Sequence, residues 1–135
     1  MKITLEGKKK VIADINGHKI VTDQPVRGGG DGSSPAPFDL FLASIGTCAG
    51  IFVKSFCDQR NIPTEGIFLE QDMKFDPASH LITNIDIKII LPDSFPEKYK
   101  EAVISSANLC AVKRHLHHPP VMTVVAETRE SFQEN

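Results

Sequence analysis

The first elements that the sequence predicts are two β-strands joined by a tight turn. Residues 11–15 and 18–22 are rich in β-branched side chains, and Asn16-Gly17 between them suits the positive φ angles of a type I′ turn. The following stretch, 23–37, contains Gly28-Gly29-Gly30 and several further glycine, serine and proline residues. Such a composition hardly supports regular structure, so we expect a mobile loop that leads into a helix.

Apolar residues at spacings of three and four then predict a long helix from Phe38 to about Asn61. Its apolar stripe consists of Phe38, Phe41, Leu42, Ile45, Cys48, Ala49, Phe52 and Phe56. Two β-rich runs at 65–75 and 81–91 follow, and the Asp76-Pro77-Ala78-Ser79 turn between them predicts a second hairpin.

A second helix is predicted from Ser94-Phe95-Pro96-Glu97, where a hydroxyl stands three residues before a glutamate and proline falls in the first turn. Its apolar stripe consists of Tyr99, Val103, Ala107 and Cys110. His117-His118-Pro119-Pro120 ends this helix before a last strand at 121–127. The predicted order is therefore hairpin, long helix, hairpin, helix and strand.

Composition and charge narrow the class of protein. The chain has 135 residues, of which 41% are apolar and 24% charged, and this predicts one globular domain over 1–135. The net charge is −2 and no basic run exceeds Lys8-Lys9-Lys10, so a nucleic-acid partner is not expected. Charges interrupt the first apolar residues, so we expect neither a signal sequence nor a membrane span there, and a cytoplasmic location.

Three cysteines raise the question of thiol chemistry. Cys48 lies on the stripe of the first helix, whereas Cys57 points about 180° away from it and is interpreted as an inert residue off the buried stripe. Cys110 lies on the stripe of the second helix, and small neighbours permit a close approach of the two helices. Cys48 and Cys110 are therefore either buried packing residues or a reactive pair.

The segment from Ser34 to Cys48, SPAPFDLFLASIGTC, resembles the signature of the OsmC/Ohr family of osmotically inducible and organic hydroperoxide resistance proteins. The segment from Asn108 to Leu116, NLCAVKRHL, resembles the second cysteine segment of that family. The resemblance implies an α+β fold in which antiparallel sheets of two intertwined chains wrap around central helices. It also implies thiol-dependent reduction of organic hydroperoxides in oxidative stress defence, in a homodimer without a metal or organic cofactor.

The resemblance assigns Cys48 as the peroxidatic cysteine and Cys110 as the resolving cysteine. The implied cycle passes from a Cys48 sulfenic acid to a Cys48–Cys110 disulfide, which an external dithiol such as dihydrolipoamide reduces. The hydroperoxide-resistance branch has a glutamate where Phe38 stands here, and Asp39 follows one position later. That branch also uses an arginine in its N-terminal region, and Arg27 is the only early arginine in this sequence.

The chemistry requires a thiolate, and a cysteine with an unperturbed pKa of about 8.5 is only a few per cent ionised at neutral pH. Cys48 lies about three turns into its helix, beyond the reach of that helix's own dipole, so a nearby cation is expected. Arg27 is the first candidate, because the glycine-rich loop can fold over the site and Asp39 can hold its guanidinium. Further candidates are Lys113, Arg114 and His115. The residues expected to line an apolar substrate pocket are Phe38, Phe41, Phe52 and Phe56.

Other functions fit the sequence less well. The glycines at 28–32 are not followed by the GK[ST] of a phosphate-binding loop. The spacing of a zinc site is not found among Cys110, His115, His117 and His118. A cysteine hydrolase using Cys48 and His115 would leave Cys110 without a role. The alternative that stays open is a non-catalytic protein of the same fold that binds a small hydrophobic ligand.

Overall fold

A computed structural model describes residues 1–129 and begins with a three-stranded antiparallel sheet. Its strands are β1 (Lys2–Glu6), β2 (Lys10–Ile15) and β3 (His18–Thr22), in that order across the sheet. The predicted hairpin is confirmed, because Asn16 and Gly17 have φ angles of 50° and 81°, as a type I′ turn requires. The sequence did not predict β1, a strand of only five residues that pairs with β2.

The long helix α1 (Pro37–Asp58) follows the glycine-rich loop, as predicted. Pro37 occupies the first helical position, where its missing N–H removes no helical hydrogen bond. The carboxylate of Asp39 accepts a hydrogen bond from the Ala36 N–H at 2.9 Å and fixes the start of the helix. By length and composition α1 could span a membrane, and only 28% of its most apolar 18 residues are buried. The helix is therefore apolar well beyond the face that the core covers.

The second hairpin is confirmed as a two-stranded antiparallel sheet of β4 (Phe68–Asp76) and β5 (Leu81–Ile90). Asp76 organises the turn, since its carboxylate accepts hydrogen bonds from the N–H groups of Ala78 and Ser79, both at 3.1 Å. The Ser79 hydroxyl also donates to this carboxylate at 2.6 Å. This turn chemistry agrees with the sequence pattern of aspartate followed by a small polar residue.

The prediction of one continuous second helix is wrong. The structure has a 3₁₀ turn at Glu97–Tyr99, then α2 (Lys100–Ala107) and a separate short helix α3 (Ala111–His117). Asn108, a weak helix former, stands directly after α2, where the helical hydrogen bonding ends. Cys110 is consequently not on a helical stripe, but has a non-helical backbone with φ −49° and ψ 127° and precedes the first residue of α3.

The predicted last strand at 121–127 is also not formed. This part of the described chain carries no strand, and Val121 and Val124 are 93% and 98% exposed. A strand needs a neighbouring strand for its backbone hydrogen bonds, and this segment pairs with none among residues 1–129. The apolar side chains of this segment are therefore exposed to solvent in the single chain.

The core lies between α1, α2 and the second sheet. Its central residues come mostly from the two helices, and partly buried side chains of β4 and β5 pack against them. Cys57 is fully buried here, which corrects the expectation that it lies off the buried stripe. The expected α+β class with antiparallel sheets is confirmed. The buried core residues are Ala49, Val53, Phe56, Cys57, Ile62, Phe95, Val103 and Ala107.

Candidate active site

Cys48 lies in the middle of α1 at the border between its buried and exposed faces. Ala49, the next residue, is fully buried in the core, whereas Thr47 and Ile51 are exposed. Cys48 itself is partly exposed. The thiol is therefore held by a rigid helix and remains accessible to a small molecule from solvent.

Cys110 is placed beside Cys48 by the break between α2 and α3. The break leaves Leu109 62% exposed and buries Cys110 completely. The two cysteines are not joined by a disulfide, and Cys110 is the neighbour with the largest effect on the pKa of Cys48. Two sulfurs that are 62 positions apart in the sequence are thus neighbours in the fold.

The surroundings of Cys48 favour its thiolate form. The hydrogen bond from the Cys110 thiol is the largest cause that lowers the pKa of Cys48, followed by hydrogen bonds from the backbone N–H groups of Val112 and Ala111. The positive charge of Arg114 lowers this pKa further, against an opposing effect of burial. The backbone N–H groups of Ala111 and Val112 belong to the first turn of α3, where N–H groups have no partner within the helix.

The same contact has the opposite effect on Cys110. Burial raises the pKa of the Cys110 thiol, and so does the hydrogen bond that it donates to Cys48, because that bond needs the proton. The pair is therefore asymmetric, because the Cys48 thiol loses its proton more readily than the Cys110 thiol.

The expected pairing of Arg27 with Asp39 is not formed. Arg27 lies exposed in a 3₁₀ turn at Val26–Gly28, and within residues 1–129 it makes no ion pair with Asp39. The Asp39 carboxylate instead accepts a hydrogen bond from the Ala36 N–H at the start of α1. Among the cations proposed from the sequence, Arg114 has a charge that lowers the pKa of Cys48.

The glycine-rich loop is organised by a residue that the sequence analysis did not identify. Asp23 is 1% exposed, and its carboxylate accepts hydrogen bonds from the N–H groups of Gln24, Asp31 and Ser33 at 2.8 to 3.3 Å. The Ser33 hydroxyl adds a fourth, at 2.8 Å. These bonds, led by those from Ser33, lower the pKa of Asp23 from its ordinary value of 3.8 to about 2. The sequence does contain a signal that could have identified Asp23, because an aspartate directly after a strand and before a glycine-rich loop is suited to accept hydrogen bonds from that loop.

The phenylalanines that were expected to line one pocket are divided by the structure. A cavity of about 280 Å³ lies between α1 and α2 and begins about one helical turn after Cys48. Phe52 and Phe56 line it, whereas Phe38 and Phe41 stack on each other near the start of α1, with ring centroids 5.4 Å apart. The full lining is Ile51, Phe52, Ser55, Phe56, Gln59, Ser106 and Leu109.

The histidines that follow Cys110 do not gather around a metal position. His115 Nδ1 lies 2.7 Å from the carbonyl oxygen of Ala111, which is the preceding turn of α3. In the part of the chain that the structure describes, no three His, Cys, Asp or Glu side chains are close enough together to hold a metal ion.

The fold and the cysteine pair define an α+β protein whose two-thiol site lies between the long helix α1 and the start of the short helix α3. A family model described as "OsmC-like protein" matches residues 30–125, which is most of the chain and includes both cysteines. The chain therefore belongs to the OsmC-like family. A search of curated proteins finds none that matches it.

Two solved structures show the same fold. One is a protein from Psychrobacter arcticus 273-4 proposed to act in the osmotic stress induced and detoxification response; it has 22% identity, a TM-score of 0.71, and 84% coverage of both chains. The other is an organic hydroperoxide resistance protein OsmC from Legionella pneumophila, a predicted redox protein and regulator of sulfide bond formation. It has 17% identity, a TM-score of 0.52, and 85% coverage of both chains.

Proposed function

We propose that this protein is a thiol-dependent peroxidase that reduces organic hydroperoxides to alcohols. The observation that carries the proposal is the asymmetric pair, in which the pKa of Cys48 is lowered and that of its buried neighbour Cys110 is raised. A peroxidase with two cysteines needs one thiolate to attack the peroxide and a second thiol within bonding reach. Membership of the OsmC-like family supports the same chemistry.

In the proposed cycle the Cys48 thiolate attacks the outer oxygen of the hydroperoxide. The O–O bond breaks, the alkoxide takes a proton from solvent and leaves as the alcohol, and Cys48 becomes a sulfenic acid. The Cys110 sulfur then attacks the Cys48 sulfur, so that an S–S bond forms and the sulfenic hydroxyl leaves as water with the proton of Cys110. An external dithiol, supplied by a reducing cytoplasm, returns both cysteines to thiols and becomes a disulfide itself.

The apolar cavity between α1 and α2, about one helical turn from Cys48, suggests the kind of substrate. Phe52 and Leu109 give its lining an apolar character, and Ser55 and Ser106 supply hydroxyl groups. Such a lining suits the alkyl or aryl part of an organic hydroperoxide better than hydrogen peroxide, which gains nothing from apolar contact. A cavity of about 280 Å³ lies near the lower end of the range for small-molecule sites, so we expect compact hydroperoxides to fit.

The activity is tested by the consumption of cumene hydroperoxide with dihydrolipoamide or dithiothreitol as reductant. We expect turnover by the wild type, none by Cys48→Ser, and near-normal turnover by the matched control Cys57→Ala. After one equivalent of peroxide, mass spectrometry should find a Cys48–Cys110 disulfide. Turnover that survives Cys48→Ser, or thiols left unchanged by the peroxide, would contradict the proposal and favour a non-catalytic binding protein.

The activating cation is tested by a matched pair of arginine variants. Arg114→Gln removes the charge that acts on Cys48 and should raise the pKa of that thiol, so the rate at neutral pH falls. Arg27→Gln changes an exposed residue of the loop and should leave the rate unchanged. If only Arg27→Gln lowered the rate, Arg27 and not Arg114 would be the activating residue.

We further propose that the chain acts as a homodimer. One chain leaves large apolar side chains uncovered on α1, with Phe38 54% and Ile51 65% exposed, and the described core cluster takes no residue from β1–β3. A second copy would cover these surfaces, and the uncovered segment 121–127 could find a strand partner there. Light scattering after size exclusion should give twice the mass of one chain, and Ile51→Glu should lower it; a monomeric wild type would refute the dimer.

A further inference from the structure

A second and larger cavity lies on the sheet side of α2. It is a groove of about 600 Å³ between β5 and α2, and it shares no lining residue with the cavity between α1 and α2. Its volume falls within the range of small-molecule binding sites. The groove is lined by Ile87, Lys88, Ile89, Leu91, Pro92, Asp93, Lys100, Ile104, Ala107, Asn108 and Lys113.

The groove has an apolar lining over much of its length. β5 contributes Ile87 and Ile89, Leu91 follows directly after that strand, and α2 contributes Ile104 and Ala107. Ile104 is 47% exposed, although it lies on a helix that packs on the core. An apolar chain in the groove would remove this surface from water, which favours binding.

Charged side chains also line the groove, and one of its lysines has no carboxylate partner within residues 1–129. Three lysines and one aspartate, Asp93, line it. Lys88 is paired with Asp72 at 2.8 Å and Lys100 with Glu97 at 2.6 Å, so each of these two lysines already has a carboxylate partner. Lys113 has none within residues 1–129; its ammonium group donates only to the Asn108 side-chain oxygen, at 3.0 Å.

Lys113 and Asn108 together form a suitable place for a carboxylate. The Asn108 oxygen accepts from Lys113, which leaves the side-chain NH₂ group of Asn108 free to donate to a ligand oxygen. A cation and an amide donor side by side match a monoanionic head group, and the apolar lining continues from them along α2. At this place a cationic head group would meet the Lys113 ammonium group, which has no carboxylate partner within residues 1–129.

We propose that the groove between β5 and α2 binds a single-chain anionic amphiphile, with its carboxylate at Lys113 and Asn108 and its alkyl chain over Ile104. This site is separate from the cavity between α1 and α2, and its occupation requires no thiol chemistry. Binding can therefore be measured on the reduced protein, independently of whether the peroxidase proposal holds.

The proposal is tested with three probes that share a ten-carbon chain: decanoate, decanol and decyltrimethylammonium. Titration of ¹⁵N-labelled, reduced protein should show saturable binding of decanoate, with the largest amide shifts at Ile87, Ile104 and Asn108. Decanol should bind at least tenfold more weakly, and decyltrimethylammonium should cause no shifts there. Equal binding of decanoate and decanol would refute the charged head-group site, and no saturable binding of decanoate would refute the site altogether.

Substitutions locate the head group and the chain. Lys113→Glu should weaken decanoate binding at least tenfold, whereas the matched Lys74→Glu, on β4 and outside the groove, should not change it. Ile104→Asp places a carboxylate in the apolar lining and should abolish binding; because Ile104 is half exposed, this variant is expected to fold, which its NMR spectrum checks. Decanoate binding that persists unchanged in folded Lys113→Glu and Ile104→Asp would overturn the assignment.

Discussion

Oxidation of the cysteine pair should stabilise the fold by an amount that follows from its position in the chain. A bond between Cys48 and Cys110 closes a loop of about 60 residues, and the loss of chain entropy in the unfolded state is then worth about 4 kcal/mol at 25 °C. The two side chains are already neighbours, so the bond should require little movement of α1 and α3. Most of this stabilisation should therefore be realised.

This energy can be converted into a melting temperature. At about 2.1 cal/mol/K of unfolding entropy per residue, a chain of 135 residues unfolds with roughly 280 cal/mol/K. A gain of about 4 kcal/mol then raises the melting temperature by about 15 °C. Circular dichroism should show this difference between protein treated with one equivalent of cumene hydroperoxide and protein kept in dithiothreitol.

Two controls separate the disulfide from other effects of the peroxide. Cys48→Ser and Cys110→Ser cannot form the bond, so their melting temperatures should be the same after both treatments. The reasoning is refuted if the wild type shows a Cys48–Cys110 bond by mass spectrometry but melts at the same temperature as the reduced protein. It is equally refuted if either serine variant shows the full increase.

Three further predictions concern the loop and the pair. Gly30→Ala should lower the melting temperature strongly, because the added Cβ would lie 2.0 Å from the carbonyl oxygen of Gln24, whereas Gly28→Ala meets no atom closer than 3.5 Å and should be nearly neutral; equal melting temperatures would contradict this. Asp23, with a pKa lowered from 3.8 to about 2, stabilises the fold above about pH 4 and loses this effect as the pH falls towards 2. Denaturant titrations should therefore show a smaller loss of unfolding free energy between pH 4 and 2 in Asp23→Asn, and an unchanged loss would exclude Asp23 as its source. Cys110→Ala removes the main cause that lowers the pKa of Cys48, so the thiolate absorbance at 240 nm should titrate at higher pH; an unshifted curve would show that α3 alone sets this pKa.

The sequence predicted the parts of the site that depend on local pattern. Both hairpins follow from turn residues such as Asn16-Gly17, and α1 follows from its periodicity. The position of Cys110 depended instead on a helix break that no proline or glycine marks. The break also brings groups to Cys48 that a search for cations does not consider. The backbone N–H groups of Ala111 and Val112 lower the pKa of Cys48, although they belong to a different helix from the one that carries it. Only the docking of α3 on α1 makes these groups neighbours.

The wrong prediction for Cys57 has a physical cause, which is that α1 is apolar on more than one face. Periodicity places Cys57 opposite Cys48 correctly, but it does not say which of the two apolar faces of α1 is buried within the single chain. The core covers the face of Ala49 and Val53 and takes Cys57 with it, while Ile51 remains exposed. Cys48 falls at the border, about 100° of helical turn from Ala49. At that border a thiol has a buried partner for a disulfide on one side and access for a peroxide on the other, and the proposed chemistry needs both.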